Sequence, residues 1–79
     1  MVRAKFWCTA VKSTKFGQDG EIGSVIELAA VYTGSDENKQ FFKWTPSAKI
    51  ELGTVNEAAA GQFEVGKEYY VDFTPAPVA

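Results

Sequence analysis

The sequence predicts a small all-β domain with one short helix, folded as five antiparallel strands in a compact barrel or sandwich. Three observations lead there. Residues 68–73 alternate Tyr69, Val71 and Phe73 with Glu68, Tyr70 and Asp72, the period-two pattern of a strand with one buried face. Glycine-rich turn signals separate similar runs upstream. A hydrophobic content of 46%, with 14% aromatics, supplies one core and argues against disorder.

The first strand runs from Val2 to Val11, with a reach to Phe16. Ala4, Phe6, Cys8 and Ala10 share one face; Arg3, Lys5, Trp7, Thr9 and Val11 share the other. Gly17-Gln18-Asp19-Gly20-Glu21-Ile22-Gly23 is a turn with an Asp-Gly pair, which makes the first two strands an antiparallel hairpin. The second strand spans Ser24–Thr33, with Ile26, Leu28, Ala30 and Tyr32 on its apolar face. Gly34 to Asn38 reads as a polar hairpin turn. Lys39–Thr45 then reads as a third strand, Phe42 and Trp44 on one face, Phe41 and Lys43 on the other, broken by Pro46.

Ala48–Thr54 is the fourth strand, with Ile50 and Leu52 inward. Asn56-Glu57-Ala58-Ala59-Ala60-Gly61 changes character: a capping residue, an acid in the first turn, an alanine run and a closing glycine make one or two turns of helix. Phe63 and Val65 are placed to pin that helix over the sheet. Glu68–Phe73 is the fifth strand, and Pro75 ends it because proline cannot donate to a ladder. The core expected from these faces is Phe6, Cys8, Ile26, Leu28, Phe42, Ile50, Leu52, Phe63, Tyr69, Val71 and Phe73. An OB-like topology is one alternative, although its helix belongs between the third and fourth strands rather than after the fourth. The whole chain, 1–79, is one domain, with 76–79 a tail that has no obvious anchor.

Chemistry is sparsely supplied. The chain has no histidine and one cysteine, which excludes Cys-His and Ser-His-Asp nucleophile systems and every ordinary zinc site. Glu27, Glu51, Glu68 and Asp72 sit at outward strand positions among lysines, where solvated charge rather than paired-carboxylate catalysis is expected. Asp36, Glu37 and Asn38 lack the spacing of a calcium loop. Gly17, Gly20 and Gly23 lack the Gly-Lys-Ser/Thr end of a phosphate loop. Cys8 reads as a small buried thiol. The expectation is no enzyme, no metal and no cofactor. No signal peptide is expected, since charges run through residues 2–16, and no stretch is apolar enough to span a bilayer; a soluble protein made in and retained by a cytoplasm follows.

Eight Lys and Arg face ten Asp and Glu, so the basic footprint of duplex binding is missing, and contact with single-stranded nucleic acid is expected to be weak. The functional clue is a set of outward aromatics, Trp7, Phe41 and Tyr70, that travel with Lys5 and Lys43. Such a face can stack bases between ammonium groups, or anchor a protein interface, or be core in a sandwich covered on both sides. The acidic balance moves weight from nucleic acid to protein.

One wider pattern runs through the chain: Glu37-Asn38-Lys39, Phe41 or Phe42, Thr45-Pro46-Ser47, Ile50-Glu51-Leu52, Asn56, Phe63, and Gly66-Lys67-Glu68-Tyr69-Tyr70-Val71-Asp72-Phe73-Thr74-Pro75. It resembles a group of small proteins of tailed bacteriophages, over roughly residues 3–76 and most densely in 66–75. Ser47-Ala48 stands where that group often has Ser-Gly. The resemblance implies a phage origin and carries no active site. With it, the expectation is a non-enzymatic structural or accessory protein working by contact with itself or with phage structural proteins, as a head-decoration subunit or self-assembling oligomer, in the host cytoplasm during infection or on the virion. The alternative is a small β-barrel that binds single-stranded nucleic acid or a nucleotide, acting against host defence.

Overall fold

In the computed structural model, which describes residues 2–78, the long first hairpin sets the frame. Strand β1 (Val2–Lys15) and strand β2 (Ile22–Ala30) pair antiparallel. Gly17 at φ 86° turns the chain between them, and the Phe16 amide donates to the Glu21 carbonyl at 3.0 Å. Strand β3 (Lys49–Thr54) adds to the far side of β2 and strand β4 (Glu68–Phe73) to the near side of β1. The result is one antiparallel sheet in the order β3-β2-β1-β4. It is an open sheet of four strands, neither the five-stranded barrel or sandwich nor the OB-like arrangement that the sequence suggested.

The missing strand is a helix. Residues expected as a polar turn and a third strand form helix α1 (Asp36–Trp44). Ser35 caps it, its hydroxyl accepting from the Asn38 amide at 3.0 Å, while Asp36 and Glu37 lie in the first turn and Lys43 in the last, as the helix dipole favours. The pattern Phe42/Trp44 against Phe41/Lys43 fits period two, but the same residues fit period 3.6, with Glu37, Phe41 and Trp44 on one face. Tertiary contacts and the cap decide for the helix. Helix α2 (Glu57–Ala60) forms where expected, the Asn56 carboxamide accepting from the Ala58 and Ala59 amides at 3.0 and 3.2 Å.

The two helices lie on opposite faces of the sheet. Ala60 at the end of α2, together with Phe63, packs on Ala4, Phe6, Cys8, Ile26 and Leu28. Tyr69 braces the connection to β4: its ring lies 5.2 Å from that of Phe63, and its hydroxyl donates to the Gln62 carbonyl and accepts from the Glu64 amide. Of the expected core, Phe6, Cys8, Ile26 and Leu28 are buried and Ile50, Phe63, Tyr69 and Val71 are half-buried against them. Phe42, Leu52 and Phe73 are exposed (43, 46 and 54%). Phe42 belongs to α1, while Leu52 and Phe73 sit on the outer strands of a sheet that no second sheet covers. Val65, expected to help hold α2, is exposed as well.

A β-bulge adds a second correction. Cys8 pairs with Leu28 but Ala10 pairs with Glu27, leaving Thr9 as the extra residue, its hydroxyl donating to the Glu27 carbonyl at 3.2 Å. The bulge exchanges the faces of all that follows in β1. Val11 therefore shares the face of Ile26, its cross-strand partner, and Ala10 moves to the face of Arg3 and Lys5. Residues 74–78 carry no regular structure; Ala79, the end of the expected tail, lies outside the described residues.

Candidate interaction surface

On the face opposite the hydrophobic core, β1 and β4 bring three cross-strand pairs together: Arg3 with Asp72, Lys5 with Tyr70, and Trp7 with Glu68. The amide of Gly66 donates to the Cys8 carbonyl, and the Cys8 amide to the Lys67 carbonyl. That parity makes the three pairs the non-hydrogen-bonded ones, where side chains approach closest. Arg3 grips Asp72 in bidentate fashion, at 2.6 and 2.9 Å. Its guanidinium also stands 4.8 Å from the centre of the Tyr70 ring.

Helix α1 lands on this row through one turn of its sequence. Tyr70 donates its hydroxyl to Glu37. Lys5 lies between Glu68 and Glu37, at 3.4 and 3.6 Å. Asn38, 1% exposed, donates from its amide nitrogen to the Thr33 carbonyl at 2.8 Å and to Glu68 at 2.6 Å. Phe41 sets its ring 6.1 Å from that of Tyr70. Burial of the Lys5 amine pulls its pKa down, yet Glu68, Glu37 and Tyr70 together outweigh that and the net shift is upward. The Tyr70 hydroxyl holds the Glu37 carboxyl below the usual carboxylate range, and Arg3 does the same for Asp72.

The sequence-predicted residues therefore divide. Lys5, Phe41 and Tyr70 meet in one cluster. Trp7 is half-buried and lines a separate cavity of about 220 Å³ with Tyr32, Thr33, Gly66 and Glu68. Lys43 stands apart, 5.1 Å over the ring of Trp44. Sequence reasoning missed Arg3, Glu37 and Asn38 as members of the cluster and placed Trp44 on an inward strand face. Its signal was the spacing 37, 40, 41, 44, 45, one face of a helix. Those five residues with Arg3 line an open groove of about 350 Å³, and Trp44, 76% exposed, forms part of its wall.

Every charged group in the row has an opposite partner within the chain, so the row binds α1 to the sheet rather than presenting free charge. Above it stand Trp44 and Phe41, apolar area beside a neutralised base. Among the described residues no group of His, Cys, Asp and Glu could hold a metal ion, and no helix is long and apolar enough to cross a membrane. No protein-family model, curated protein sequence or solved structure matches the chain.

Proposed function

We propose that this chain is a non-enzymatic accessory or structural protein of a tailed bacteriophage and works by protein–protein contact, with the α1 groove and Trp44 meeting a phage structural protein. The observation that carries the reading is unspent surface. The accessible area is 5870 Å², against ~4,700 Å² for a compact monomer of 8.6 kDa. The radius of gyration is 14.6 Å, against ~11.6 Å for a compact chain of this length. Part of the excess is the exposed 74–78 segment, which carries no regular structure. The rest is an open sheet whose outer strands leave Leu52 and Phe73 in solvent on the core face and Tyr70 on the other, the face from which Trp44 stands proud. Large aromatics left exposed beside a charge-balanced rim suit a protein interface. The phage setting rests on the residue pattern of 37–75.

The nucleic-acid alternative has less support. Arg3, Lys5 and Lys12 are each engaged by carboxylates, of Asp72, of Glu37 and Glu68, and of Glu27. The other five cations, Lys15, Lys39, Lys43, Lys49 and Lys67, are set against ten Asp and Glu in the whole chain, so little counterion release on a phosphate backbone is expected.

Mass spectrometry of purified virions tests the reading. The expected result is the chain present in fixed stoichiometry, and a Trp44→Ser form that melts like the wild type but is depleted from particles. Its complete absence from virions would overturn the structural role.

A further inference from the structure

We infer that β3 is a self-complementary edge, through which two copies of this chain join into one continuous antiparallel sheet about a two-fold axis at Ile50. Ala30 donates to the Ala48 carbonyl at 3.0 Å, and β2 and β3 keep one register from Ser24↔Thr54 to Ala29↔Lys49. Antiparallel alternation then turns the main-chain groups of residues 48, 50, 52 and 54 toward β2. Those of Lys49, Glu51 and Gly53 point outward, and β3 is the last strand of the sheet on that side. The strand contains no proline and no bulge, the usual devices for blunting an edge.

A second copy of β3 can meet these groups in few ways. An axis between Ile50 and Glu51 would set outward groups against inward ones and apolar side chains against charged ones. An axis at Glu51 would place the two glutamates directly opposite each other. An axis at Ile50 does neither. It pairs Lys49 of each copy with Glu51 of the other through the outward groups, and brings Ile50 opposite its own counterpart. Ala48 then faces Leu52 of the other copy on the same side as the core. Four opposite charges are matched, and Leu52, 46% exposed in the single chain, gains apolar cover.

The other edges are less suited to a second copy. Outward groups on β4 belong to Glu68, Tyr70 and Asp72, and the register centred on Tyr70 would oppose Glu68 to Asp72. The unpaired half of β1, Ala10–Lys15, carries Lys12 and Lys15 with no acid among its residues to match them across a pair, whereas Lys49 of β3 meets Glu51. The β3 edge is distinct from the α1 groove, so the pairing and the virion role can fail separately.

Charge exchange tests it on the purified full-length chain, with mass measured by sedimentation or light scattering at micromolar concentrations. The wild type is expected to be a dimer. Lys49→Glu and Glu51→Lys each oppose like charges twice and should weaken association by about tenfold or more. The double variant restores the match and should dimerise again, and mixing the two single variants should give a heterodimer. All these side chains are exposed, so unchanged circular dichroism and melting of the monomeric forms separates lost pairing from lost folding. A wild-type monomer at high micromolar concentration would overturn the inference. So would single variants that associate as tightly as the wild type, whatever their virion content.

Discussion

Asn38 of α1 reaches across the sheet's polar face to donate to Glu68 of β4 at 2.6 Å, while its carboxamide oxygen is buried without a partner. This contact, with the Thr33 carbonyl on the same amide, fixes where the helix lands. With the contacts of Glu37 and Phe41 to Lys5 and Tyr70, it holds the excursion of residues 31–48 between neighbouring strands β2 and β3. Helix α1 buries no apolar side chain fully; Asn38 is its one buried residue. Polar complementarity therefore does for α1 what apolar packing does for α2.

Asn38→Ala should accordingly cost about 1–3 kcal/mol, the usual cost of leaving buried partners unsatisfied. Asn38→Asp should cost more at neutral pH, because a carboxylate would face Glu68 and a carbonyl, and should recover in part on acidification as a protonated carboxyl regains a donor. Urea denaturation at two pH values measures both. An Asn38→Asp protein as stable as the wild type at neutral pH would mean the helix is not held in this way.

Phe16 and two glycines offer a second test at the other end of the sheet. A Cβ on Gly23 would lie 2.4 Å from the Thr54 carbonyl oxygen and 2.7 Å from the Phe16 ring. On Gly53 it would meet only that ring, at 3.0 Å. The ring can swing toward solvent, since Phe16 is already exposed; the carbonyl belongs to the β2–β3 ladder and cannot move without straining it. Gly23→Ala should thus destabilise by about 1–3 kcal/mol, in the range of overpacking, and Gly53→Ala by clearly less. Thermal melting of the two variants side by side reads the difference, and equal losses would contradict it.

The elements with unambiguous punctuation were legible in the sequence. Gly17 to Gly23 announced the first hairpin, Asn56 to Gly61 the second helix, and 68–73 the last strand to the residue. Helix α1 was not, because a run of nine residues holding Phe41, Phe42 and Trp44 fits both periods, and Ser35 with two acids reads as a turn as easily as a cap. With that element misread, the barrel followed, since a fifth strand is what would have closed the sheet. Parity placed Lys5 and Tyr70 on the correct face because β1 and β4 are regular there. The bulge at Thr9 cannot be read from side-chain type, so simple alternation puts Ala10 and Val11 on each other's faces. Asn38 was invisible as an anchor: a buried asparagine and a turn asparagine look alike until the acceptors around it are known.

Two carboxyls whose pKa values are depressed on folding set the expected acid limit of the fold. Glu37 is held down first by the Tyr70 hydroxyl, with Lys5 and Arg3 adding to it against a smaller opposing effect of burial; Asp72 is held down by the hydrogen bonds from Arg3. In the unfolded chain these groups protonate near their ordinary values, 4.5 and 3.8; in the folded chain they do so only at lower pH. Between those limits the unfolded state binds more protons, so stability must fall as pH falls. Their contribution is complete above the ordinary carboxylate range and disappears as pH drops through the depressed folded values. Arg3, Lys5 and Tyr70 are raised instead, so their contribution is complete at neutral pH and is lost only in strong alkali. Thermal midpoints should therefore be flat around neutrality and decline below pH ~4.5, with a slope reduced by salt because the groups are largely exposed. Tyr70→Phe removes the donor that does most to hold Glu37 down and should lessen the acid dependence, and Glu37→Gln with Asp72→Asn should flatten it further. Wild-type and Tyr70→Phe proteins with the same acid profile would show that the hydroxyl does not hold Glu37 in solution, and the docking of α1 would then rest on Asn38, Lys5 and the contact of Phe41 with the ring of residue 70.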